Sequence, residues 1–386
     1  VKDAARQCFA PARPGAVIGC GARNQNAAAL RALLDCLARG LPIHASQQGI
    51  RPATPDPAPF LYCQSSGSGG RVKTIRRSHG SWIASFEVNR DSFGLSAHDR
   101  YGVLGNLGHS LSLYATLEAL HLGAGLLVLA GDSPRNQMRQ LAQAGVSVLY
   151  ATPTQLRRLQ LAGGPGLPAV SHVFCGGGKL DDACRDGMAA LCPNAAIREF
   201  YGASETSFIT IADAGTPAGS VGRAYPGVRI RLGEAGRIFV ASPYLFDGYH
   251  EPDLAPPPRE GNHIGTGDIG WLDAGGHLFL RGRESRMVTV ADRNLFLEDV
   301  EAAMAAAGAG PCAAIALPDP QRGHAVIAAV EGAQDDALAA RLRRACRDAL
   351  GDHAAPRRVV FLPRLPLLAS DKPDLAALAR LFGAAP

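Results

Sequence analysis

Between residues 100 and 210, short apolar runs alternate with longer stretches in which apolar positions recur every three or four residues. The runs predict strands and the stretches predict helices, because a strand turns alternate side chains to opposite faces while a helix gathers i, i+3 and i+4 on one. Gly123-AGLLVLA-Gly131, Val146-SVLYA, Ala169-VSHVFC and Ala196-IREFY are the expected strands. Helices are expected over residues 134–144, 154–162 and 180–191. Apolar strands separated by helices indicate a parallel sheet covered on both faces. Ligands of such sheets sit beyond the carboxyl ends of the strands. There the chain has three polar or glycine-rich loops, Ala151-TPT, Gly176-GGKL and Tyr201-GASET.

Over residues 220–280 the pattern changes to short strands with frequent Gly and Pro, as in Gly236-RIFVAS and Gly276-HLFLRGR, which predicts a small barrel or antiparallel sheet. A new unit follows Arg283. It has a helix over 296–307, strands near Cys312-AAIALP and His324-AVIAAVE, a helix over 335–350, and a last strand, Arg357-RVVFLP, leading into an irregular tail. Ahead of these regions, residues 27–39 predict a helix and Ala16-VIG a short strand. The expected fold class is α/β. A large domain, residues 1–282, carries the βα-layered parallel sheet and a barrel-like antiparallel part, and residues 283–386 form a small α+β lid domain.

Composition narrows the partners. The 386 residues suffice for one large core and a smaller one. A hydrophobic share of 47% with 19% charged residues describes a soluble globular protein. The net charge of +5 is modest and mostly scattered, which argues against nucleic acid as the partner. No run approaches the ~20 apolar residues of a membrane-spanning helix, and the first thirty residues lack an apolar signal core, so a cytoplasmic setting is expected. Nine cysteines without a CxxC pair and eleven unclustered histidines give little support to disulfides or a metal cluster.

One segment concentrates unusual chemistry. In Tyr62-CQSSGSGGRVKTIRRS, Gly67, Gly69 and Gly70 let backbone N–H groups turn inward, Ser65, Ser66 and Ser68 add hydroxyls, and Arg71, Lys73, Arg76 and Arg77 add positive charge. Such a loop fits a polyphosphate, although its spacing is neither GxxxxGK[ST] nor GxGxxG. Taken alone, such a segment is more often a mobile surface loop than a nucleotide site.

Five further strings follow in order: Gly176-GGKL, Tyr201-GASE, Gly265-TGDIGWLD, Gly282-RESRM and Leu365-PLLASDKPDLAAL. With the Ser/Gly segment they resemble the adenylate-forming superfamily of acyl-CoA synthetases, nonribosomal adenylation domains and luciferases, over roughly residues 60 to 386. The resemblance implies that Ser65, Ser66, Gly67, Ser68, Gly69, Gly70 and Lys73 hold the β- and γ-phosphates of ATP. It places Gly176, Gly177 and Gly178 against adenine and packs Tyr201, followed by Gly202, on the adenine ring. Ser204 would contact the α-phosphate and Glu205 would bind Mg2+. Asp268 would accept hydrogen bonds from the ribose hydroxyls with Arg283 nearby, and Lys372 would arrive from the lid to neutralise charge at the α-phosphorus. His109, Leu113 and Ala203 would line the acid pocket, and Ser285 would stand at the hinge.

Departures from the pattern qualify what the resemblance implies. The phosphate loop has Gly69 and Val72 where the family has threonine and proline, and Tyr62 comes early, as in a compact, N-terminally shortened member lacking one of two packed sheets. Completion by a partner or a homodimer is the corresponding expectation. Ser285 replaces the hinge Asp or Lys, Asp292 a glycine that admits thiol, and Asp371 the glycine before the lysine. No aspartate in Leu107-GHSLSLYA would hold an α-ammonium, so the acid is expected to be aryl, such as a hydroxybenzoate, or fatty. The implied cofactors are ATP and Mg2+. Acceptors remain open between an acyl carrier protein or CoA thiol, as in the stand-alone ligases of secondary metabolism, and an amine. A non-catalytic nucleotide-binding relative is the third reading.

Overall fold

The computed structural model describes residues 7–20, 26–53, 59–65, 73–368 and 372–383. Six strands run parallel in the order Val17–Cys20, Gly125–Val128, Arg100–Val103, Val148–Ala151, His172–Gly176 and Ala196–Ala203. Alternation along them divides the core. Leu126, Val128, Val148, Tyr150 and Phe174 join one apolar cluster with the Ser110–Leu122 helix, while Leu127, Leu149, Ala151, Val173 and Cys175 join another under the Pro134–Ala144, Pro153–Ala162 and Asp182–Leu191 helices. Apolar strands with both faces covered are what a parallel sheet requires.

The barrel-like part is joined to this sheet edge to edge. Ser207–Ala212 pairs antiparallel with Ala196–Ala203 and is followed outward by Ser220–Ala224, His277–Arg283, His263–Leu272, Arg237–Ala241 and Arg229–Leu232. The chain expected to lack a second sheet has one. Its order is Gly248–Tyr249, Lys73–Ser78, Phe60–Ser65, Ile43–Ser46 and Gly49–Pro52. The Ile43–Ser46 and Gly49–Pro52 strands left little trace in the pattern because each has four residues, and between them only Ile43, Ala45 and Ile50 bury apolar side chains.

Residues beyond 283 build a separate core. The strands Cys312–Asp319, Gly323–Glu331 and Arg358–Leu362 form a sheet with Ala314, Val326, Ala328 and Val330 turned to the Leu297–Ala306 and Asp336–Leu350 helices. Ala313, Ile315, Ile327 and Ala329 face the other way. That second face is covered by a helix, Leu375–Gly383, where an irregular tail was expected; its Leu378 and Phe382 are buried against the sheet. Among the described residues no helix is long and apolar enough to cross a membrane.

Beneath the parallel sheet lies a buried polar hub. Glu118 accepts hydrogen bonds from Asn89 Nδ2 and the Tyr150 hydroxyl at 2.7 Å each, and from the Tyr101 and Tyr114 hydroxyls at 3.1 and 3.4 Å. Burial pushes its carboxyl up to about 7 in spite of these donors.

Candidate active site

The cavity at the carboxyl ends of the parallel strands has a volume of about 1000 Å³. Its walls come from both parts of the chain: Lys73, Glu205 and Gly178 from the large part, Ser285, Cys312 and Lys372 from the residues beyond 283.

Gly202 sets the geometry of the wall that bears Ser204 and Glu205. A Cβ there would stand 1.9 Å from the Ser207 carbonyl oxygen, so the Ala196–Ala203 strand approaches the next one as only glycine permits. The turn ends at Ser207, whose φ of 57° is in the left-handed region. Within it, Ala203 N–H donates to Thr206 Oγ1 at 3.0 Å, and Glu205 C=O accepts from Phe246 N–H at 2.8 Å. Ser204 Oγ lies 3.1 Å from Ser110 Oγ, and both line the cavity beside Ala203.

Glu205 is tied to the second sheet. Its Oε1 accepts from the Tyr249 hydroxyl at 3.0 Å, and Lys73 Nζ lies 3.4 Å from that hydroxyl and 4.9 Å above the ring. Burial and the Glu205 carboxylate hold the Tyr249 phenol far above its usual range, so it stays a donor. Tyr249 was missed from the sequence: it sits in a two-residue strand that carries no pattern.

A second cluster forms where the antiparallel strands meet the C-terminal part. Asp268 and Arg283 are cross-strand neighbours, with Arg283 Nε 3.4 Å from Asp268 Oδ1. The Tyr201 hydroxyl donates to Asp268 Oδ2 at 2.5 Å. Burial raises the Asp268 carboxyl, opposed by Arg283, Tyr201 and Lys372. Lys372 is exposed at the cleft, yet the surrounding protein lowers its ammonium by partial desolvation, Arg283 adds to this, and Asp268 opposes it. Lys372 is held by its backbone, whose carbonyl accepts from Leu368 N–H at 2.8 Å.

The expected residues thus divide. Lys73, His109, Gly177, Gly178, Gly202, Ala203, Ser204, Glu205, Arg283, Ser285 and Lys372 line the one cavity, with Asp268 and Tyr201 bonded to each other beside it. Ser65 ends the Phe60–Ser65 strand, its backbone paired with Lys73. Ser66, Gly67, Ser68, Gly69 and Gly70 lie outside the described residues. Gly176 packs inward, where a Cβ would stand 2.2 Å from Phe200. Leu113 is wholly buried: His109 precedes the first turn of the helix, and it is Leu111, Ser112 and Tyr114 that face the cleft. Two of the expected loop cations also point elsewhere. Arg76 stacks on Phe60 at 3.5 Å, and Arg77 is buried beneath the Ser204–Ser207 turn.

These residues suit ATP and Mg2+. Gly177, with φ +84°, and Gly178 present backbone to the cavity, and added Cβ atoms there would meet nothing closer than 3.6 Å. Among the described residues no three His, Cys, Asp or Glu side chains group as a metal cage. A single carboxylate, Glu205, matches an ion that takes its remaining ligands from phosphate and water, as Mg2+ does.

Residues 19–250 match the AMP-binding enzyme family and residues 300–372 match the AMP-binding enzyme C-terminal domain, and the chain belongs to that family. It is 32% identical over 329 residues to YhfT, an uncharacterized acyl-CoA ligase of Bacillus subtilis, covering 81% of this chain and 67% of the relative. For VraA of Staphylococcus epidermidis, a proposed long chain fatty acid-CoA ligase, the identity is 32% and the coverage 61% of this chain and 52% of the relative. Among solved structures, the ATP-bound RpMatB-BxBclM chimera B1 superposes with a TM-score of 0.76 at 22% identity, over 86% of this chain and 70% of the other. That likeness bears on the fold.

Proposed function

We propose that the chain activates a carboxylic acid with ATP and Mg2+, releasing pyrophosphate and forming an acyl-adenylate, and then passes the acyl group to a phosphopantetheine thiol of CoA or an acyl carrier protein. The observation that carries this reading is the meeting of Glu205, Ser204 and Lys73 with Lys372 in one cavity, beside the Asp268–Arg283 pair. In the first step an acid oxygen attacks the α-phosphorus and the bond to pyrophosphate breaks. Lys372 stabilises the charge that builds there, Asp268 binds the ribose, and Lys73 faces the departing phosphates. In the second step the thiolate takes the acyl carbon and AMP leaves.

The names of YhfT and VraA favour a CoA thiol as acceptor. The acid half of the cavity is walled by Trp82, Leu111, Tyr114, Phe200 and Phe208. Trp82 Nε1 donates to Ser207 Oγ at 3.1 Å and the Tyr114 hydroxyl lies 2.8 Å from Ser85 Oγ, so the polar tips point away and ring carbon faces the acid. This supports an apolar acid, aryl ahead of fatty. We also place the boundary of a mobile lid at residues 282–283, with Ser285 at its hinge. The cysteines among the described residues are free thiols, in keeping with a cytoplasmic setting.

The deciding assay is acid-dependent pyrophosphate release from MgATP over aryl, fatty and amino acids, first without acceptor and then with CoA, a carrier protein or an amine. Release with one acid class and AMP turnover with a thiol would establish the reading. Turnover only with amines would replace the second step. Silence with every acid while ATP binds would overturn it in favour of a non-catalytic binder.

A further inference from the structure

Fully buried charges are rare unless paired, because desolvation must be offset. Arg77 breaks that pattern: it has 0% exposure, and no carboxylate among the described residues forms an ion pair with it. Its charge is spent on neutral oxygens of three segments. One terminal nitrogen donates to the Ser204 carbonyl at 2.6 Å. The other donates to Ser207 Oγ at 2.8 Å and reaches Ser81 Oγ and the Tyr244 carbonyl at 3.4 Å. Its Nε is buried with no hydrogen-bond partner among the described residues, and the guanidinium lies 4.9 Å from the ring centre of Trp82.

These contacts converge on the turn that carries Ser204 and Glu205. Ser207 Oγ receives Arg77 and Trp82 and gives its own proton to the Tyr244 carbonyl at 3.2 Å, which fixes a residue in a backbone region that non-glycine residues rarely occupy. The Ser204 carbonyl is drawn inward by the guanidinium while its hydroxyl and the Glu205 side chain line the cavity. A rigid fork of donors suits this task better than a point charge, which can reach only part of these oxygens.

We propose that Arg77 is a positioning residue for acid activation, its buried guanidinium holding the Ser204–Ser207 turn so that Ser204 and Glu205 meet the nucleotide and its metal. This rests on the acid-activating reading of the cavity. The turn's geometry, rather than the cavity's affinity for acid, is then what Arg77 governs.

The test compares Arg77→Met and Arg77→Lys with the unaltered protein. Arg77→Met is expected to lower kcat for pyrophosphate release about 100-fold, as a misplacement near 1 Å does, with the KM for the acid little changed. The factor by which Mg2+ tightens ATP binding, read by calorimetry, should fall about 10- to 100-fold. Arg77→Lys should recover part of both. Variants that lose thermal stability while keeping kcat and the Mg2+ factor would overturn the proposal. Should Arg77→Met fail to fold, Arg77→Lys decides by the same readouts. Should both fail, Ser207→Ala, which removes one receiving oxygen, must show the same losses in smaller degree, and unchanged kcat there overturns it. The Mg2+ factor needs no turnover, so a silent wild-type enzyme would refute the acid-activating reading and leave Arg77 testable.

Discussion

Lys372 has Asp268 and Arg283 as its charged neighbours, and the three differ in what their loss should do. A cation that acts only while charge builds at phosphorus contributes to the transition state and little to ground-state binding. Lys372→Ala is therefore expected to lower adenylate formation about 100- to 1000-fold with ATP affinity within a few-fold, measured by pyrophosphate release and by calorimetry. Retained adenylation would show that Lys372 has no part in the step. Asp268→Ala should instead weaken ATP binding about 10- to 100-fold, since it removes a charged acceptor worth roughly 1.5–3 kcal/mol per hydrogen bond and leaves the Tyr201 hydroxyl without its partner. Unaltered ATP affinity would refute the ribose role. That Lys372, Asp268 and Glu205 come together at one cleft was legible in the sequence, because each stands in a short string whose order along the chain is specific. The place of Arg77 was not: it looks like one more cation of the Ser/Gly segment, and only packing shows that it points the other way. Tyr249 is joined to Glu205 across the fold and has no local signal at all.

At the scale of elements, the antiparallel pair Ala196–Ala203 and Ser207–Ala212 does most to shape the site. It departs from regular register between Tyr201 and Gly202, where the turn begins. Gly202→Ala would drive a Cβ onto the Ser207 carbonyl oxygen, and overpacking of this kind typically costs about 1–3 kcal/mol. We expect a lower melting temperature and, because Ser204 and Glu205 move with the turn, a loss of kcat larger than the loss of stability alone would give. A variant with wild-type melting and wild-type kcat would show that the turn has room to adjust. Strands and helices between residues 100 and 210 were legible because burial on both sheet faces leaves continuous apolar runs. In the second sheet the Phe60–Ser65 strand was legible from its apolar start, whereas Ile43–Ser46 and Gly49–Pro52 were not, since each has only four residues and few of them are apolar. The last helix did carry a signal, Leu375, Leu378, Ala379 and Phe382 at helical spacing, which the proline-rich approach to it obscured.

The whole molecule's stability should depend on pH through two buried groups of opposite sign. His79, stacked on Phe9 at 4.0 Å and accepting from its N–H, is pushed down to about 4 by burial. The stability it contributes is present above 6.5 and is lost as pH falls through about 4. Glu118 works the other way. Its carboxyl is raised from 4.5 to about 7, so the fold binds its proton more tightly than the unfolded chain does. Its contribution is complete below 4.5 and is lost as pH rises through about 7, a change worth roughly 3 kcal/mol. Glu118→Gln has no proton to lose there and keeps an acceptor for Tyr150 and Tyr101. The difference in unfolding free energy, Gln variant minus wild type, should thus increase between pH 5 and pH 8 by about that amount, measured by urea unfolding at each pH. A difference that stays flat would mean that the four donors hold Glu118 ionised throughout, and that the hub under the sheet is paid for as a buried charge at every pH.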